Sequence, residues 1–198
     1  MIDIHCHILY GVDEGPDSLH ISLEMCRQAI KEGIEKIIAT PHYIIGERYD
    51  SNISEKIKTL NNELKNNNIG VEVLPGNEAF IDFGLVDRLS NKECLTLSNS
   101  KYVLLEVPML EVPRFTENVI YELLLKGYIP ILAHPERNRA INVKPEIVYE
   151  LVRNGCLMQL NSTSLFGLSG EKAENTAKQL LSHNLVHFIA TDAHSAGR

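Results

Sequence analysis

Seven short apolar runs alternate with amphipathic stretches along this 198-residue chain, and that alternation constrains the fold more than any other feature. The runs are Ile2–His5, Ile37–Ala39, Val71–Leu74, Tyr102–Val107, Pro130–Ala133, Leu157–Leu160 and Val186–Thr191. Between them, apolar residues recur at helical spacing. Ser18 reads as an N-cap, followed by Ile21, Met25 and Ala29 up to Gly33. Ile53, Ile57, Leu60 and Leu64 fall at i, i+4, i+7 and i+11. Ile120, Leu123 and Leu124, then Ile147, Val148, Leu151 and Val152, then Ala173, Ala177, Leu180 and Leu181 mark three more helices. Strands alternating with helices predict an α/β fold on parallel strands, because each crossover helix returns the chain to the same edge of the sheet. Seven such units in one stretch favour barrel-like closure over an open sheet. No linker, low-complexity tract or repeat divides the chain, so residues 1–198 read as a single domain.

The polar residues fall at one recurring place. His5 and His7 end the first run, His42 follows the second, Glu78 the third, Glu106 lies in the fourth, His134 closes the fifth, and Asp192 and His194 close the seventh. In parallel α/β folds, active sites lie at the carboxyl ends of the strands. On a strand, residues i and i+2 share a face, so both imidazoles of His5-Cys6-His7 can reach one metal while Cys6 points towards the helix layer. Asp192-Ala193-His194 repeats that geometry. Glu106 among Leu104, Leu105 and Val107 is a carboxylate inside an apolar strand, which is costly unless it is paired or coordinating. Glu78 also reads as a first-turn helix acid, and Asp13 and Glu14 as a solvated acidic turn. Arg137, beside His134, suits an anion clamp, since a guanidinium grips phosphate oxygens in pairs. His20, His183 and His187 carry no such signal.

Mixed His, Asp and Glu donors suit Zn, Mn, Fe or Co rather than Ca or Mg. Eight candidate ligands exceed what one ion takes, so two or three divalent ions are expected. The cysteines, Cys6, Cys26, Cys94 and Cys156, form no C-x-x-C pair. The residues six beyond them are Val12, Glu32, Ser100 and Ser162, so the Cys-x5-Arg signature of cysteine-dependent phosphatases is absent. A net charge of −7 without a basic stripe argues against nucleic acid as a partner. No apolar run approaches the roughly 20 residues of a membrane span, and the first residues lack a basic leader, so a cytoplasmic location without membrane insertion is expected.

Taken in order, these motifs resemble the polymerase and histidinol phosphatase (PHP) superfamily, and most closely the CpsB/YwqE-like tyrosine phosphatases of Gram-positive bacteria. The matching segments are the opening Met-Ile-Asp-Ile-His-Cys-His-Ile, Asp13-Glu14-Gly15-Pro16, His134-Pro135-Glu136-Arg137, Gln159-Leu160-Asn161-Ser162 and Thr191-Asp192-Ala193-His194. The resemblance implies a distorted (β/α)7 barrel of the PHP, TIM-like kind with a metal centre at the carboxyl ends of its strands, manganese being favoured. One ion would be held by His5, His7, Glu78 and Asp192, and a second by Glu78, Glu106 and His134. A third would be held by His42, His194 and an acid of the early loop. Asp13 is preferred for that acid, eight residues after the first histidine of the pair, with Glu14 as the alternative. Arg137, His42 and Asp192 are the implied catalytic positions, and Arg137 and Arg198 the phosphate-binding ones.

The implied reaction is hydrolysis of phosphotyrosine by a metal-bound hydroxide, on a protein substrate such as the tail of a bacterial tyrosine kinase controlling capsule or exopolysaccharide synthesis. A PHP phosphoesterase acting on a small phosphomonoester, such as histidinol phosphate or a nucleotide, is the alternative. A metal-dependent amidohydrolase would need a lysine where Glu106 stands. Family members usually continue beyond the closing Asp-x-His, so a missing C-terminal segment is a further expectation.

Overall fold

The computed structural model describes residues 1–46 and 52–197; Arg198, an expected phosphate ligand, lies outside the described residues. The chain forms two compact units. The first comprises Met1–Asn77, Leu95–Ser100 and the residues from Thr191 on; the second comprises Glu78–Cys94 and Lys101–Ala190.

The first unit carries β1 (Ile2–Cys6), α1 (Leu19–Lys31), β2 (Lys36–Ala39), β3 (His42–Tyr43), α2 (Ile53–Asn66) and β4 (Glu72–Pro75). Its parallel sheet has the order β1-β2-β4, with Ile37 opposite Asp3 on one side and Val73 on the other. The expected face of α2 is the buried one: Ile53, Ile57, Leu60 and Leu64 pack with Val73, Ile37, Cys26 and Met25 in one apolar cluster. Leu60 is wholly buried. Leu60→Ala is expected to lower the unfolding free energy by about 3 kcal/mol, from lost transfer energy plus a cavity, read as a shifted urea midpoint at constant m.

The second unit carries β5 (Glu78–Phe80), α3 (Leu85–Ser90), β6 (Tyr102–Glu106), α4 (Thr116–Leu125), β7 (Ile129–Ala133), α5 (Arg139–Val143), α6 (Glu146–Arg153), β8 (Leu157–Asn161), α7 (Glu171–Ser182) and β9 (Phe188–Ala190). Within it β5-β6-β7-β8-β9 lie side by side, each pair parallel. All their carboxyl ends therefore share one edge. Val103, Leu104, Leu105, Ile131 and Leu132 are buried to 1% exposure or less, which explains why β6 and β7 read as unbroken apolar runs.

The parallel α/β organisation is as expected from the alternation. The strand list is longer than the seven expected, by β3 and β5. Both restart after a break that reads from sequence as a stop. Pro41 separates β3 from β2, and Gly76-Asn77 separates β5 from β4. A Cβ on Gly76 would meet Ile38 Cγ2 at 2.8 Å, so only glycine fits there. Buried Asn77 then fixes the turn: its Nδ2 donates to Pro41 O and its Oδ1 accepts from Leu95 N. Glu78 accordingly opens a strand, which corrects its alternative reading as a helix first-turn acid. Short α3 and α5 also escape the periodicity argument, being 6 and 5 residues long.

Candidate functional site

In the first unit, H-x-H behaves as the strand geometry requires. His5 and His7 are buried, and Cys6 points the other way into the cluster with Cys26 of α1. The closing Asp192-Ala193-His194 segment runs beside the end of β1. His7 N–H donates to Ala193 O at 3.0 Å, and Asp192 N–H donates to His5 O at 2.9 Å. Asp3 fixes this segment from inside the sheet. Its Oδ1 accepts from Thr191 N at 3.1 Å, and Thr191 Oγ1 donates to its Oδ2. Burial pushes the Asp3 carboxyl up from its usual value, partly offset by those bonds from Thr191 and by His5 N–H. Asp3 is missed by motif reading, although a charged residue in a short apolar strand is its signal.

Three imidazoles gather around that of His7. Its ring lies 4.1 Å from that of His194, nearly parallel, 4.8 Å from that of His42 and 5.5 Å from that of His5. Asp192 Oδ1 is 3.2 Å from His5 Nε2 and 3.5 Å from His7 Nε2. Two sets bring donor atoms within 4.8 Å of one another in this unit: His7, Glu14 and His42, and His7, Asp192 and His194. His194 Nδ1 is bonded to the Asp192 carbonyl at 2.8 Å, so that nitrogen carries the proton and Nε2 is left as a donor atom. Stacked imidazoles interleaved with carboxylates are a nitrogen and oxygen donor set of the kind that divalent transition metals take, and the residues fit such ions.

The loop acids divide. Glu14 Oε1 lies 2.9 Å from His42 Nε2 and 3.5 Å from His194 Nε2. Asp13 instead accepts from His7 Nδ1 at 2.7 Å, from Gly15 N at 3.0 Å and from His42 N at 3.3 Å. Glu14 thus faces the ring nitrogens of His42 and His194, whereas the preferred Asp13 faces the ring of His7 and reaches His42 only at its backbone N–H. Burial raises the Asp13 carboxyl, but the bond and charge of His7 with the two backbone N–H groups outweigh it and hold the carboxyl below its usual value. The loop is tight: Gly11 N–H donates to Pro16 O, and a Cβ on Gly15 would lie 2.4 Å from His7 O.

In the second unit, buried Glu78 and His134 meet at 2.8 Å, Oε1 to Nε2. Glu106 ends β6, half-buried, and its carbonyl accepts from Ile81 N, so it sits at the edge where β5 ends. His134 has φ 33°, a left-handed conformation that costs a non-glycine residue about 1 kcal/mol or more and recurs at functional sites. It leads into a 3-10 turn, Pro135–Arg137, that leaves Arg137 exposed. Wholly buried Glu136 anchors this turn by accepting from Asn161 N at 2.9 Å, and burial pushes its carboxyl up. Buried Asn138 donates to Pro108 O and Glu111 O, tying the loop after β6 to the turn after β7, and its Oδ1 caps α5 at Ile141 N. Motif reading assigns no role to Glu136 or Asn138, which act through backbone groups distant in sequence.

Of the histidines without an expected role, His20 and His183 are exposed, and His187 Nδ1 accepts from Met158 N. Cys6, Cys26, Cys94 and Cys156 are all buried and none is in a disulfide, and burial pushes the Cys26 and Cys156 thiols up to about 12. Among the described residues no helix is long and apolar enough to cross a membrane.

The chain is 43% identical over 198 residues to the tyrosine-protein phosphatase YwqE of Bacillus subtilis, covering 98% of this chain and 78% of that one. It is 42% identical over 199 residues to the putative tyrosine-protein phosphatase CapC of Staphylococcus aureus, covering 98% and 77%. Among solved structures it matches, with a TM-score of 0.95 and 43% identity over 98% of this chain and 80% of the other, a structure from the work on YwqE from Bacillus subtilis and CpsB from Streptococcus pneumoniae, described as unique metal-dependent tyrosine phosphatases. A histidinol phosphate phosphatase from Lactococcus lactis, TM-score 0.58 and 19% identical over 100% and 86%, shares the fold. Residues 1–198 match the family described as capsular polysaccharide synthesis, CpsB/CapC, and the chain belongs to that family.

Proposed function

We propose that this chain is a metal-dependent protein-tyrosine phosphatase. The observation that carries the reading is the paired H-x-H and D-x-H cluster of the first unit, in a chain that matches named tyrosine phosphatases over 98% of its length. The ligands are His5, His7, Glu14, His42, Asp192 and His194 from the first unit, and Glu78, Glu106 and His134 from the second. Manganese is the favoured ion, and the distorted (β/α)7 barrel of the resemblance is the architecture this reading adopts. Divalent ions bound there would acidify a water and offset negative charge on the phosphoryl oxygens.

The chain's own residues do the rest. Asp13 accepts the Nδ1 proton of His7 and so keeps Nε2 a lone-pair donor. Arg137, exposed at the end of its turn, offers paired N–H groups to a phosphoryl oxygen pair. A tyrosinate leaves with a parent pKa of about 10, so proton donation is a small part of the task, assigned here to His42. No cysteine is needed as nucleophile. Alkylation of the native protein with iodoacetamide is expected to leave the rate within about twofold, since buried, protonated thiols react slowly. A tenfold loss would sink the mechanism.

The substrate we assign is a phosphotyrosine protein of capsule or exopolysaccharide assembly, such as a bacterial tyrosine kinase in the cytoplasm, supported by the family's link to capsular polysaccharide synthesis. The test compares kcat/KM for a phosphotyrosine peptide and for histidinol phosphate on the manganese-loaded protein. Preference for the peptide supports the reading, and preference for histidinol phosphate overturns it.

A further inference from the structure

The second unit exposes large apolar side chains along one edge. Phe83 follows β5, Leu110 follows β6, and Phe166 and Leu168 follow β8, with exposures of 73%, 68%, 81% and 78%. Since β5 to β8 are parallel neighbours, these loops stand side by side at the carboxyl ends of the strands. The loop after β7, between them, is cationic, with Arg137 and Arg139 exposed. The edge therefore reads apolar, apolar, cationic, apolar.

Single exposed apolar residues are ordinary, but these sit on loops that follow neighbouring strands and are held on built turns. Asp82 Oδ1 accepts from Gly84 N at 2.6 Å and its carboxylate pairs with Arg88, fixing the turn that presents Phe83. The Phe83 ring packs on Phe115 at 4.3 Å. Asn138 pins the β6 loop at Pro108 and Glu111. Leu168 N–H donates to Thr163 O, Gly167 N–H to Ser164 O, and Ser164 Oγ to Ser169 Oγ, closing the turn between Phe166 and Leu168. Rigid presentation lowers the ordering cost of binding.

We propose that this edge is a peptide-reading rim, and that it selects phosphotyrosines flanked by apolar residues on both sides. The inference rests on the phosphatase reading and deepens it. Three strand spacings of about 4.8 Å separate the β5 loop from the β8 loop, roughly 14 Å, which an extended peptide crosses in about four residues. The phosphate lies at the arginines after β7, and flanking side chains reach Phe83 and Leu110 on one side and Phe166 and Leu168 on the other.

The test uses the manganese-loaded protein and three substrates: an apolar-flanked phosphotyrosine peptide, the same peptide with Gly/Ser flanks, and p-nitrophenyl phosphate. The parent is expected to prefer apolar flanks by about tenfold in kcat/KM, expressed in KM. In the Phe83→Ser/Phe166→Ser double variant that preference disappears, while turnover of p-nitrophenyl phosphate stays within about twofold, as expected for exposed positions. Absence of the preference in the parent, its survival in the double variant, or an equal loss on all three substrates overturns the rim. A double variant that sediments as a smaller species than the parent makes the edge a self-contact and also overturns it. A parent that cleaves no phosphotyrosine overturns the phosphatase reading instead. The rim is then judged by fluorescence anisotropy of the apolar-flanked peptide carrying a non-hydrolysable phosphonate, whose affinity must still fall about tenfold in the double variant.

Discussion

His7→Ala is expected to lower kcat/KM on an aryl phosphate by about a thousandfold, the equivalent of roughly 4 kcal/mol of lost transition-state stabilisation. His7 is the ring on which His5, His42 and His194 converge, and it belongs to both donor sets within the first unit. Its loss therefore weakens two groupings rather than one. Chelation of the parent should reproduce the defect, and manganese should reverse it in the parent but not in the variant. Elemental analysis separates the cause from simple unfolding: the variant should retain fewer ions per chain while its metal-free melting temperature stays near that of the parent. A variant that keeps a full metal complement and more than a tenth of the parent rate would show that His7 is not a ligand.

The fold was legible where periodicity had length to act on. The 14 residues of α2 repeat their apolar face four times, and all four positions are buried. β6 and β7 are covered on both faces, so they read as unbroken apolar runs. What periodicity does not reveal is short or held from afar. β3 has 2 residues and β5 has 3, too few for an alternation to show. Their existence depends on Gly76 fitting against Ile38 and on Asn77 bridging Pro41 and Leu95, contacts that no local window contains.

The candidate site was legible for a different reason. Ligand types are rare in apolar strands, so His5, His134 and Glu106 stand out by contrast with their neighbours. The supporting shell is not: Asp3, Glu136 and Asn138 do their work through backbone N–H and carbonyl groups of Thr191, Asn161, Pro108 and Glu111, which are chemically anonymous in a sequence. The same limit explains Asp13 and Glu14. Two adjacent acids in one loop are equivalent to a motif, and only the direction in which each side chain leaves the turn tells them apart.

That direction gives the pair opposite signatures. Asp13→Asn is expected to weaken manganese binding about 10- to 100-fold, the usual cost of losing a partner that orients a ligating histidine, while excess manganese restores most of kcat. Both Asp13 oxygens face N–H groups: Oδ1 meets Gly15 N, and Oδ2 meets His7 Nδ1 and His42 N. Either orientation of an asparagine would therefore set its NH2 against a donor, which rotates His7 or opens the turn. On the proposed ligand set, Glu14→Gln removes the carboxylate charge that stands beside His42 Nε2 and His194 Nε2, and its loss of about a hundredfold in kcat should persist at saturating manganese. Titrating both variants with the metal and following bound ions alongside rate distinguishes the two roles. If excess manganese rescued Glu14→Gln and left Asp13→Asn inactive, the assignments would exchange, and Asp13 would be the loop's ligand after all.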